Sequence, residues 1–69
     1  MNNIQYMVEH IIDYDVLDWE IEFTEEKAIE TAKEMLDNPD REGYCEISIV
    51  KDMGGFYRTI EEDYITINK

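Results

Sequence analysis

With a single cysteine, Cys45, among its 69 residues, this chain cannot form an internal disulfide staple. A lone thiol outside any zinc-type spacing fits a reducing compartment, so the expected location is the cytoplasm. The opening MNNIQYMVEHII lacks the basic start, long apolar run and small-residue cleavage site of a signal peptide, which agrees with that expectation. No apolar stretch approaches the ~20 residues that cross a bilayer. Glycine is scarce too, at three residues. It forms no phosphate-cradling loop, and Gly54-Gly55 reads as a turn signal. Nucleophile elbow, internal repeat, low-complexity tract and Ser/Gly linker are all missing. One domain, residues 1–69, is expected. A chain this short buries only a little over half of its unfolded surface, so its stability is marginal.

Positive charge is the other scarcity. Six bases against eighteen acids leave a net charge of −12. Repulsion on that scale excludes DNA, RNA or an anionic membrane as a direct partner and makes a basic protein surface the natural complement. Solubility alone is the plainer explanation of acidity. The charge is uneven, however. Residues 1–26 hold eight acids (Glu9, Asp13, Asp15, Asp18, Glu20, Glu22, Glu25, Glu26) and no lysine or arginine, whereas residues 27–69 hold ten acids and six bases. The two parts carry −8 and −4.

Residue patterning predicts an α+β fold of order ββαββ, an antiparallel sheet of four or five strands with one helix across a face. Ile4 to Ile12 is rich in β-formers, with Tyr6, Val8 and Ile12 on one side and Met7, Glu9 and Ile11 on the other. Asp13-Tyr14-Asp15 reads as a turn. Leu17 to Phe23 alternates cleanly, which predicts Trp19, Ile21 and Phe23 in the core and Asp18, Glu20 and Glu22 in solvent. Thr24 is the expected helix cap, with Glu25 and Glu26 in the first turn where the helix dipole favours acids. Lys27 sits where a capping box needs Glu or Gln. Ala28, Ile29, Ala32, Met35 and Leu36 form an apolar stripe at helical spacing, and Asn38-Pro39 closes the helix. After a loop at Asp40-Arg41-Glu42-Gly43, Tyr44 to Lys51 is the third strand. Asp52-Met53-Gly54-Gly55 is a hairpin connection, and Phe56 to Ile60 the fourth strand. Glu61-Glu62-Asp63 interrupts it, and Tyr64 to Ile67 continues it past a bulge or forms a short fifth strand. Phe56 is expected in the core, and Tyr14, Tyr57 and Tyr64 in solvent.

Little of this points to catalysis. Cys45 on an apolar-patterned strand reads as a small inert hydrophobe, and His10 as a partly covered strand residue. Asp13, Asp15 and Asp18 spell D-x-D-x-x-D, but an EF-hand loop needs glycine sixth and glutamate twelfth, where this chain has Asp18 and Thr24. No metal, cofactor or enzymatic activity is expected.

The acidic row carries the functional expectation. Asp18, Glu20 and Glu22 project from one side of one strand at steps of roughly 6.6 Å, and like charges so arranged destabilise a sheet. Charged edges that resist sheet-to-sheet pairing are one explanation. A rigid carboxylate array that occupies a phosphate-binding groove is the other. In size and charge over its whole length, though in no motif, the chain resembles the small acidic phage and mobile-element proteins that mimic DNA to block host restriction or CRISPR nucleases. That resemblance implies a non-enzymatic inhibitor of a nucleic-acid-binding protein, acting in a host cell's cytoplasm. The expected contact residues are Asp13, Asp15, Asp18, Glu20 and Glu22, supported by Glu25, Glu26 and Tyr14. The alternative is a small adaptor or homodimer that docks by strand pairing and aromatic contacts.

Overall fold

The computed structural model describes residues 4–39 and 42–69, so Asp40 and Arg41 of the expected loop lie outside the described residues. Strands β1 (Ile4–Ile12) and β2 (Asp15–Glu22) precede helix α1 (Glu25–Leu36). Strands β3 (Tyr44–Asp52) and β4 (Tyr57–Asn68) follow it. The four strands form one sheet in the order β2-β1-β3-β4, every neighbouring pair antiparallel. The fold is the expected ββαββ. β2 and β4 are the two edges, and α1 carries the chain from one edge back to the centre.

Local chemistry accounts for each element. Thr24, in extended backbone at φ −133°, caps the helix: its hydroxyl accepts from the Lys27 backbone N–H at 3.1 Å, while its carbonyl accepts from Ala28 at 3.0 Å. A cap of this kind is worth about 1 kcal/mol. Ala28, Thr31, Ala32 and Leu36 are the buried helix positions, which recovers the apolar stripe and adds Thr31. The helix ends at Asp37, whose N–H bonds to the Glu34 carbonyl, two residues before Pro39.

The core lies between α1 and the two central strands. Val8, Ala28, Ala32, Leu36, Cys45 and Ile47 are buried together, with Tyr6, Ile29, Met35, Ile65 and Ile67 packed around them. Burying Val8 or Ile47 contributes about 1.5–3 kcal/mol each. Two alanines and a cysteine among the six keep this core thin, as the short length requires.

Register decides the faces. Tyr6, Val8 and His10 of β1 stand beside Glu22, Glu20 and Asp18 of β2, and beside Ile49, Ile47 and Cys45 of β3. The acids of β2 are therefore on the helix side of the sheet, and Trp19 and Ile21 are on the helix-free side. This reverses the sequence-based expectation for this strand. Trp19 is 53% exposed and Phe23, just past the strand, 75% exposed; Phe56 at the second hairpin is 64% exposed. None of the three is a core residue. The physical reason is coverage. The helix sits over β1 and β3, so the helix-side positions of edge strand β2 overhang the core and tolerate acids. Its apolar positions then fall on a face with no helix over it.

The two hairpins differ in their turn chemistry. Ile12 pairs with Asp15, leaving the two-residue loop Asp13-Tyr14 at φ 51° and 70°. Positive φ at both central residues is the signature of a type I′ turn, so Asp15 belongs to the strand and not to the turn. At the other hairpin Met53 bonds to the Phe56 carbonyl at 2.9 Å, and the Gly54 N–H to the Asp52 carboxylate at 2.8 Å. β4 runs as one strand past irregularities at Glu61 to Ile65, where Asp63 adopts φ 51°. Of the two sequence alternatives, the bulge holds.

Candidate functional site

The acids predicted as an array divide into three groups. Asp13, Tyr14 and Asp15 form the tip of the first hairpin and its exit, with Tyr14 97% exposed. Asp18 and Glu20, further along β2, line an open groove of about 320 Å³ against the helix, completed by Thr31, Glu34, Met35 and Asn38. The remaining acids are partly engaged inside the fold. Glu22 accepts a 2.5 Å hydrogen bond from the buried Thr31 hydroxyl, which ties β2 to α1. Glu25 accepts from the Tyr64 hydroxyl, and this bond, with the repulsion of Glu25 itself, holds the Tyr64 phenol above its ordinary value. Glu26 stays exposed in the first helical turn, and Lys27 pairs with Glu30 at 3.6 Å. The groove thus gathers Asp18, Glu20 and the unforeseen Glu34 between β2 and the helix.

A second group of carboxylates lies on the helix-free face and was not foreseen as a site. Glu9 of β1 pairs directly with Glu46 of β3, on the two central strands. Burial pushes the Glu9 carboxyl above its ordinary value of 4.5, and Asp63, Glu62 and Glu46 push it further in the same direction. Glu61-Glu62-Asp63, unplaced from sequence, thus belongs to the β4 edge, opposite to β2, and leans electrostatically on the centre of the sheet. The Thr66 hydroxyl donates to Glu46 at 2.7 Å. Across the sheet the row reads Trp19, Glu9, Glu46, Thr66. Polar residues at alternate positions of two central strands were the available signal. Strand order was needed to bring them together.

Cys45 and His10 are cross-strand neighbours, both buried from solvent. The Cys45 thiol donates to the Ala32 carbonyl at 3.7 Å, as a packing residue does. His10 is fully buried instead of partly covered, and its Nε2 donates to the Glu42 carbonyl at 2.7 Å, pinning the loop before β3. Among the described residues no group of three or more His, Cys, Asp or Glu is placed to hold a metal ion, and no helix is long and apolar enough to cross a membrane.

Comparison with protein-family models, curated proteins and solved structures returns no match.

Proposed function

We propose that this chain is a non-enzymatic binding protein that sets its acidic side against a basic protein surface of the kind that binds nucleic-acid phosphates. The observation that carries the reading is the groove of Asp18, Glu20 and Glu34, continuous along β2 with the exposed Asp13-Tyr14-Asp15 tip. The long axis of the molecule is 39 Å. A duplex of that length carries about 23 phosphates at one charge per ~1.7 Å, and about half face one side. The whole chain's −12 is of the order of that half, and the groove and tip hold part of it. Inhibition of a nucleic-acid-handling enzyme, host defence nucleases first, is the activity this predicts.

The test is capture from a nuclease-treated bacterial lysate, with elution in steps of rising salt. A DNA- or RNA-handling protein should elute at moderate salt. The variant D15K/E20K/E34K, all at exposed positions, should capture none. Glu22 is left intact because of its bond to Thr31. Equal capture by parent and variant ends the reading.

A second reading, a small adaptor or homodimer, draws on the exposed Trp19, Phe23, Phe56 and Ile60. Apolar docking is spared or strengthened by salt, so a salt-resistant partner with no nucleic-acid role decides for it.

A further inference from the structure

The sheet face without a helix is more than an uncovered surface. On β2 it presents Val16, Trp19 and Ile21; on β1, Met7, Glu9 and Ile11; on β3, Tyr44 and Glu46, while Ser48 and Val50 on the same side of β3 are buried, Ser48 beneath Asp63. Val16 and Trp19 are about half exposed, and the other presented residues are partly covered. Apolar side chains therefore flank, along β1 and toward β2, two carboxylates that stand directly opposite each other, while Glu62, Asp63 and Thr66 lie toward β4. Chain folding alone is poorly served by this arrangement, because like charges on directly paired residues destabilise a sheet.

The described cations lie elsewhere. Lys27 and Lys33 are on the helix, and Lys51 and Arg58 pair with each other near the second hairpin. Lys69 donates to the Asn38 carbonyl. The centre of the helix-free face is thus negative, with apolar side chains along β1 and toward β2 and further acids toward β4, and a ligand that complements it must be cationic at its middle and apolar at its flanks. A second copy of the chain fails this condition. It would set Glu9 and Glu46 against their own counterparts, in a molecule already at −12.

We infer that this face docks an extended segment of a basic protein, seating an arginine between Trp19, Glu9 and Glu46 with apolar side chains on either side of it. Cross-strand neighbours are about 5 Å apart, so a guanidinium over Glu9 reaches the Trp19 indole on one side and Glu46 on the other. A planar guanidinium can stack on an indole while its N–H groups bond carboxylates; a lysine ammonium offers a point charge without that geometry. Thr66 holds one oxygen of Glu46, which orients the carboxylate. An incoming cation offsets the repulsion from Asp63, Glu62 and Glu46 that Glu9 bears. The inference rests on the reading above in taking the partner to be basic, but it uses a different surface from the β2–α1 groove.

The test titrates isotope-labelled protein with the blocked peptide acetyl-Val-Arg-Val-Arg-Val-amide. Amide chemical shifts and the fluorescence of Trp19, the one tryptophan, are followed together. The same peptide with citrulline for arginine keeps the shape and loses the charge. Shifts should centre on Met7, Glu9, Trp19, Glu46 and Thr66, with the fluorescence changing in step. The citrulline peptide, E9Q/E46Q and W19A should each bind at least about tenfold more weakly, the loss of a charge-assisted contact. E9Q/E46Q removes a repulsion, so its fold is expected to persist, and its amide spectrum checks this. Shifts confined to Asp15, Asp18, Glu20 and Glu34 would overturn the inference and leave the basic-partner reading standing. Equal binding of the citrulline peptide, or concentration-dependent self-association that buries Trp19, would show the face to be purely apolar or a dimer interface and overturn it. Binding at neither surface would overturn the inference and leave the basic-partner reading to the capture experiment alone.

Discussion

Replacing Gly43 by alanine should damage this fold far more than the same change at Gly54, and the structure gives the size of the gap. Both glycines have nearly the same backbone, φ 92° and 90°, so both substitutions force an L-residue into the left-handed region at about 1–2 kcal/mol. Both also gain about 0.4–1 kcal/mol, because alanine restricts the unfolded chain. These terms cancel between the two variants. What differs is space. A Cβ on Gly54 meets nothing within 4 Å, whereas on Gly43 it would lie 2.1 Å from the Ile11 carbonyl oxygen and 2.8 Å from Ile12 Cγ1. The oxygen is backbone in a central strand and cannot rotate aside. Strain of this overpacking kind costs about 1–3 kcal/mol. G54A should therefore lose roughly 1 kcal/mol or less, and G43A about 1–3 kcal/mol more than G54A. At about 4–8 °C per kcal/mol for a domain of this size, the two melting temperatures should differ by roughly 5–20 °C. Urea and thermal unfolding followed by far-UV circular dichroism measure this directly. Two variants that agree within about 0.5 kcal/mol would refute the close passage of the 42–43 segment over the end of β1. That passage also carries the His10–Glu42 bond, so G43A should expose His10 to exchange as well.

Two further outcomes follow from the same geometry. E9Q should raise stability at neutral pH by about 0.2–1 kcal/mol, the cost of one like-charge cross-strand pair. Because the Glu9 carboxyl is raised above 4.5 when folded, the folded chain keeps that proton after the unfolded chain has lost it. Stability falls as pH rises from 4.5 through the folded value and is flat beyond it. The wild type should show this decline on denaturant titration at several pH values and E9Q should show less of it; equal slopes contradict the placement of Glu9. Y14G should stabilise the protein by about 0.5–1 kcal/mol, since glycine removes the strain at φ 70° and returns part of it as lost chain entropy. If Y14G proves less stable than the parent, the type I′ geometry of the tip is wrong.

Period and punctuation in the sequence determined the elements. Thr24 with its following acids, the 28-29-32-35-36 stripe, the Gly54-Gly55 turn and the alternation of residues 17–23 each state a local preference, and local preferences act through the backbone at short range. The ββαββ order and the cap followed from them, while the choice between a bulged last strand and a short fifth one needed the structure. The −12 charge, and the expectation of a basic partner that it raises, needed only composition, because long-range repulsion depends on total charge. What tertiary structure alone decided is which side of β2 is inside. Alternation says that Trp19 and Glu20 point apart, and it says nothing about which of them faces the helix. That depends on β2 being an edge strand and on α1 lying chiefly over β1 and β3. A half-covered sheet buries the central strands and leaves the edge strand's apolar residues on the open face. The same placement joined Glu34 to the β2 acids, drew Glu22 and Glu25 into bonds with Thr31 and Tyr64, and set Glu9 against Glu46. Each of these pairs is separated in sequence and adjacent only once strand order and register are set.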